Sequence, residues 1–526
     1  MDTEYDIVII GSGHNGLVAA AVLATAGLRV VVLESENDIG GASRTAEITQ
    51  PGFHHDLYAT NIGMFLGSPF YQEYQKELHN NGFEIVTSDK PYSNVFPDGD
   101  GIGVYQDYNR TDAMLRKYSN NDADAFWKLL NYFQKTSEHF TPLMQMELPS
   151  FKAARQLWSM IRHLGLSDSL SLIQLLLKST REFSEDWFSH PKVRALFIPW
   201  AFHLDYGPDI SGGATFSFVE GMSDHLHGLS ISKGGVGNLI KSIAKIIENN
   251  GGSILTGQNV TEIIVEKGKA IGVKTEDGQS FGAKKAVIGN IAPTQIVNTL
   301  IKEEHLPGEY IQKAKKYRYG AGTMMLHFAL DGHLEWNAGE DFSNFGYVHI
   351  GPYTEDIATT FNQAQNGILP HNPMLVVGQQ SRHDKTRAPE GKETLWVQVR
   401  ALPYAPNSDA LNEIQISNWD SMKQQYAERV IDKISLYAPN IKQQILDYSV
   451  LSPEDLMRNN RNLVNGDSVS GSHHINQNYI FRPFPGYSRY KTPIKNLWVI
   501  GAATWPGAGL NAISGYLVAK HILKNH

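Results

Sequence analysis

A chain of 526 residues buries enough surface for two or three domains. Its hydrophobic share of 41% and charged share of 19% are those of an ordinary globular protein, and a formal charge of −8 argues against nucleic acid as its partner. The absence of cysteine excludes disulfides, a thiolate nucleophile, cysteine-ligated clusters and Cys-x-x-Cys redox chemistry.

No apolar run reaches the length of about 18 residues that a spanning helix needs. The first strand is expected near Asp6, which leaves no space for a targeting peptide, so a cytoplasmic location is expected.

The first elements are a β-branched strand over Ile7–Ile10, a glycine turn, and an Ala- and Leu-rich helix over Leu17–Ala26 closed by Gly27. Gly11, Gly13 and Gly16, with Ser12 and Asn15 between them, form Gly-x-Gly-x-x-Gly. The glycines allow a tight turn, close approach of the backbone to a pyrophosphate, and helix–strand packing. The helix N-terminus adds unpaired N–H groups and positive dipole. A second strand over Arg29–Leu33 delivers Glu34, 23 residues past Gly11, where an acid accepts from ribose hydroxyls and repels a 2′-phosphate. Ser35 follows it. Gly40, Gly41, Ala42, Arg44 and Thr45 then form a Gly-Gly-x-x-Arg loop suited to phosphates.

Further along, Ile85–Tyr105 has β-character with a hairpin at Phe96–Gly101, and 111–228 is mostly helical. Those helices suit a lid with a lipid- or substrate-facing side, or simply a packed core. Leu239, Ile240, Ile243, Ile246 and Ile247 share one helical face. A strand at Ser253–Gly257, a small meander with turns at Glu266–Lys269 and Glu276–Gln279, and a buried strand at Ala286–Gly289 follow. Beyond Glu303, strands within Thr323–Leu330 and Thr394–Leu402 and a helix over Asp420–Tyr437 are expected. The chain closes with a strand at Leu497–Ile500, a Gly/Ala-rich loop from Gly501 and Ala502 through Gly509 and Leu510, and a helix from Asn511. That helix would aim positive dipole at the cofactor.

Three stretches, "GSGHNGLVAA", "GGVGNL" and "FRPFPGYSRYKTPIKNLWVIGAATWPGAGL", resemble the phytoene desaturase-related flavoproteins of the amine oxidase superfamily. Within them the chain is most similar to the branch of desaturase-like β-carotene ketolases and pyridine nucleotide-disulfide oxidoreductase domain-containing proteins. The resemblance implies an α/β fold: a discontinuous Rossmann-like FAD-binding domain (1–75, 232–302 and 456–526) and an inserted α+β substrate domain (76–231 and 303–455) with a helical lid over 111–228. It implies FAD as cofactor, with Val260 presenting its backbone to the adenine. The expected activity is hydride abstraction from a hydrophobic polyene or lipid. No second dinucleotide motif follows a strand, so oxygen or a quinone is the expected electron acceptor, unless the net reaction is redox-neutral. Peripheral membrane contact is a further expectation. Amine oxidation and a non-catalytic escort role, both found on related folds, remain open.

Two departures stand out. Ala502 replaces the acid often found there, and Trp505 replaces the histidine of a Thr-His-Pro-Gly-Gly motif; tryptophan transfers no proton but can stack on a flat ligand. Proton-handling candidates are His54 and His55, then His203 with Asp205 and Tyr206, and His473 with His474. The His225-Leu226-His227 spacing lacks further ligands, so no metal is expected.

Overall fold

The computed structural model describes residues 3–525. Its β-branched N-terminal run forms the strand Thr3–Ile10 at the centre of a seven-stranded sheet. This strand lies parallel to Val30–Leu33 on one side and to Ser280–Gly289 on the other. Ser253–Leu255 extends the sheet beyond Val30–Leu33, and Leu497–Val499 runs parallel to the end of Ser280–Gly289. Five strands from three distant stretches of chain therefore end at one edge of the sheet.

Burial on both faces explains the unbroken apolar runs. One face packs on the helices His14–Thr25, Val236–Asn249 and Ile513–Asn525, through Leu17, Ile243 and Val518 among others. The other packs on the helix Gly308–Lys315, in one cluster with the sheet's two remaining strands, the antiparallel Val260–Glu266 and Lys269–Thr275. The meander and the buried strand at Ala286–Gly289, separate in the sequence reading, are continuous. Ser280–Gly289 pairs with Lys269–Thr275 at its start and with Leu497–Val499 at its end.

A second seven-stranded sheet has the order Ile445–Leu451, Gly322–Leu330, Glu393–Leu402, Leu375–Gly378, Tyr347–Ile350, Tyr92–Val95, Gly101–Val104. The expected hairpin at Phe96–Gly101 joins its last two strands. Tyr347–Ile350 and Leu375–Gly378, four residues each, are too short to show a period and went unread. Leu326, Phe328, Val348, Val397 and Val399 point one way and pack on the helix Trp419–Tyr437. Helices fill the chain from Tyr108 to His227.

The two sheets are tied by a buried ion network. Arg387, 1% exposed, donates to Asp56 and Asp384 at 3.0 Å each. Asp56 also accepts from the Val236 amide, which opens the helix Val236–Asn249, and from Thr45 and Thr60. From the second sheet, His327 Nε2 donates to the Asp56 carbonyl at 3.1 Å. Removing one member strands a buried charge, so Arg387→Leu is expected to cost about 3–5 kcal/mol. A loss under about 1 kcal/mol in chemical denaturation would show that the network is dispensable.

Among the described residues, ten histidines are held below their ordinary pKa, chiefly by burial, including His14 and His327 at about 4 and His349 at about 3. Five acids are pushed up, Asp205 and Glu220 to about 7. As pH falls through ~6.5 the unfolded chain takes up protons at those histidines before the native state does; the raised acids act in the opposite direction. The histidines outnumber them, so Tm should fall steadily between pH 7 and 5. A flat or rising Tm across that window in scanning calorimetry would contradict this balance.

Candidate active site

Where the parallel strands end, a cavity of ≈510 Å³ opens, a size typical of ligand pockets. Gly11, Gly13, Asn15 and Ile10 form part of its wall, and Gly501, Ala502, Gly509 and Leu510 another part. The two ends of the chain thus meet around one space. Asn15 fastens them: its Oδ1 accepts from the Ser514 hydroxyl at 2.9 Å and the Gly515 amide at 3.3 Å.

Glu34 lies at one end of the cavity. Its Oε2 accepts from the Ser12 amide (2.8 Å) and hydroxyl (2.6 Å), its Oε1 from the Glu36 amide and, at 3.2 Å, from the Ser35 hydroxyl. The Gln258 amide donates to the Glu34 carbonyl at 2.7 Å, which brings Gln258–Thr261, with Val260, to the same end. Buried Gln258 Oε1 has no protein partner. The helix His14–Thr25 has no side-chain cap and no acid in its first turn, so its N-terminal dipole is left for an anion. Arg44 also lines the space, steadied by the Gly41 carbonyl at 3.0 Å, and pairs with no acid among the described residues. His14, its pKa drawn down to about 4 by burial, meets Asn15 Nδ2 at 2.8 Å and is neutral at pH 7.

The hub of the site is a residue that the sequence did not reveal. Asn290 follows the strand Ser280–Gly289 and its side chain sits between the glycine turns. A Cβ on Gly13 would come within 2.7 Å of Asn290 Nδ2, and one on Gly501 within 2.6 Å of Oδ1. Asn462 Nδ2 donates to the Asn290 carbonyl at 3.1 Å, and Ser468 and Ser470 also line the wall. These loops carry no glycine fingerprint; only strand order brings them here.

Several expected cofactor contacts stand one layer behind the wall. Ser12 orients Glu34, as above. Gly16 seats the helix on the turn, where a Cβ would strike the Gly11 carbonyl at 2.3 Å. The Gly40 amide bonds the Ser12 carbonyl and hydroxyl at 3.2 Å, holding Gly41 and Ala42 at the cavity. Thr45 Oγ1 accepts from the Gly237 amide and donates to Asp56. Asn511 donates to the Gly507, Ala508 and Gly509 carbonyls and shapes their loop; the helix itself starts at Ile513.

The proposed proton handlers are corrected. His55 pairs with Ala46 and turns away toward Thr49 Oγ1 (2.8 Å) and the His327 ring; burial holds it neutral. His54 is half-exposed beside Glu47. Trp505 is 1% exposed, donates to the Met146 carbonyl at 3.0 Å and packs on Tyr479, so it is a packing residue. None of the three lines the cavity. His473 stands just behind it, with Nε2 accepting from the Ala508 amide at 3.0 Å. His225 bonds the Tyr105 carbonyl amid aromatic rings.

Leu463 and Ala42, both in the cavity wall, belong to a buried cluster that takes in one face of the second sheet, where strand alternation turns Tyr92, His327, Tyr347, His349, Trp396 and Arg400 away from the core under Trp419–Tyr437. Trp200 packs edge-on against Tyr92 (4.9 Å) and His349 (5.5 Å), and Tyr347 stacks on Trp396 (5.9 Å). Opposite them, Tyr92 donates to the Gly221 carbonyl on the helix Ala214–His227, which also carries Glu220 and Asp224 on one face. Burial and Glu220 together push Asp224 well up. Trp200 Nε1, Trp396 Nε1, His349 Nε2 and Asp224 Oδ2 are buried with no protein partner.

A profile for flavin containing amine oxidoreductase matches residues 16–428. The chain belongs to this family. It is 26% identical over 563 residues to pyridine nucleotide-disulfide oxidoreductase domain-containing protein 2 of Rattus norvegicus, covering 99% of this chain and 94% of the relative. Identity to the 4,4'-diapophytoene desaturase (4,4'-diapolycopene-forming) of Methylomonas sp is 25% over 534 residues, covering 99% and 95%. Wild-type putrescine oxidase bound to putrescine superposes with a TM-score of 0.61 at 13% identity, each chain 99% covered. The protein is an FAD-dependent oxidoreductase. The cavity fits FAD on its own evidence: a wall of glycine backbone at Gly11, Gly13, Gly41 and Gly509, an uncapped helix end, a buried Gln258 Oε1 with no protein partner, and an arginine that pairs with no acid among the described residues. Loss of the Glu34 carboxylate removes charged hydrogen bonds, so Glu34→Ala should weaken FAD by about 1.5–3 kcal/mol, or 10–150-fold. Titration of apoprotein by flavin fluorescence measures this, and unchanged affinity would remove Glu34 from the site.

Proposed function

We propose that this protein dehydrogenates a hydrophobic substrate, of polyene or lipid type, presented to the cofactor by the inward face of the second sheet. The observation that carries this is the buried cluster that joins Leu463, in the cavity wall, to the rings of Tyr92, Trp200, Tyr347 and Trp396. In this reading Glu34 and Ser35 take the ribose hydroxyls, and Arg44 and the N-terminus of His14–Thr25 take the phosphates. The Gly501–Leu510 loop borders the ring system. Bound FAD supplies a two-electron acceptor for hydride, and oxygen or a quinone takes the electrons afterwards. The chain's own part is to orient the substrate on aromatic surface and exclude water; the buried His327 and His349 are neutral at pH 7, and the burial that lowers them makes them weak proton acceptors. The desaturases among the relatives support the substrate class.

One observation favours a second reading, amine oxidation. Glu220 and Asp224 share a helix face opposite the aromatic rings, and no cation among the described residues offsets them. Aromatic faces with a carboxylate attract an organic cation. Anaerobic bleaching of the purified flavoprotein separates the readings: carotenoid or terpenoid substrates should reduce it, whereas reduction by amines alone, lost in Asp224→Asn, would establish the second.

A further inference from the structure

The helical segment carries an apolar surface that the described chain leaves uncovered. Phe151–Leu164 and Leu166–Leu177 are consecutive helices joined at Gly165. On the first, Phe151 is 97% exposed and Trp158 59%, and Leu157 and Ile161 share their side of the helix. On the second, Leu166, Leu170, Ile173 and Leu177 recur at i, i+4, i+7 and i+11 and form one exposed stripe. Eight of the sixteen large exposed apolar side chains among the described residues thus fall within these two helices. Such clustering marks a contact surface, whereas scattered exposed residues need no explanation.

Charge identifies what the surface contacts. Phe151–Leu164 contains Lys152, Arg155 and Arg162 and no acid, in a chain of net charge −8. All three cations are exposed, and none has an acidic partner among the described residues. Arg162 lies over the Trp158 ring at 5.0 Å, so charge and apolar surface adjoin. A second copy seated here would bring these same cations together. The helix is 14 residues long, about 21 Å, and no described helix is long and apolar enough to cross a membrane.

We propose that these two helices dock the protein onto a membrane surface bearing anionic lipid. Their apolar faces enter the boundary of the acyl chains, and Lys152, Arg155 and Arg162 meet the headgroups. The docked segment is tied to the C-terminal loop: Trp505, which does not itself line the cavity, donates to the Met146 carbonyl just ahead of it. Leu166–Leu177 also packs on Ala214–His227, the helix that faces the second sheet. Docking stands apart from the proposed reaction; only the delivery of a substrate from the bilayer rests on it.

The test is vesicle flotation of the FAD-loaded protein with phosphatidylcholine alone and with added phosphatidylglycerol, without turnover. Wild type should bind the phosphatidylglycerol vesicles at least about tenfold better than phosphatidylcholine, and lose that advantage in high salt. Phe151→Ser with Trp158→Ser, and separately Arg155→Glu with Arg162→Glu, should each weaken binding by about tenfold or more while keeping the flavin spectrum. The proposal is overturned if wild type ignores phosphatidylglycerol vesicles, or if both double variants bind as wild type does. It is equally overturned if the wild type is a dimer that the Phe151/Trp158 variant dissociates, since the surface is then a protein interface. Failure of a candidate substrate to bleach the flavin would leave vesicle binding untouched.

Discussion

Everything at the site depends on three neighbouring parallel strands ending at one edge and closing around the side chain of Asn290. Gly11 to Gly16 follow the first strand, Asn290 itself the second, and Gly501 the third. Each glycine that faces Asn290 lacks room for even a methyl group. The same steric demand that packs the edge clears a backbone-lined path for a phosphate chain, because parallel strands and helix N-termini present amide groups there.

The second constraint is electrostatic. Asp56, Arg387 and Asp384 sit at the seam between the two sheets with almost no solvent. Through Thr45 and the Val236 amide, the network fixes the loop that carries Arg44. Through the Asp56 carbonyl it holds His327 on the second sheet. A buried ion network is poor evidence for stability and good evidence for register, because its members satisfy one another in a single arrangement. Here the register that matters is the position of the cofactor cradle relative to the aromatic face.

That face shows how one sheet serves two purposes. Alternate residues along its strands build an apolar core against Trp419–Tyr437, and the residues between them, Tyr92, Tyr347 and Trp396 among them, pack with the helical segment in a second buried cluster. Buried tryptophan and histidine nitrogens without protein partners are costly in a folded chain. They concentrate on one buried surface, opposite Glu220 and Asp224.

The sequence by itself determined whatever depends on short-range geometry. The strand–turn–helix at Gly11–Gly16, the acid at Glu34, the Gly-Gly-x-x-Arg loop and the closing Gly/Ala-rich loop are spacings within a few tens of residues. Backbone sterics and dipoles dictate their use. Tertiary structure alone decided which residues share a space across hundreds of positions. Asn290 and Asn462 have no local pattern that marks them, and the four-residue strands of the second sheet are too short for a period to be read. His54, His55 and Trp505 looked reactive by residue type and neighbourhood, yet pairing with Thr45–Ala46 and packing on Tyr479 and Met146 turned them from the cavity. Local spacing fixes what a backbone can hold; only long-range strand pairing fixes which side chains face it.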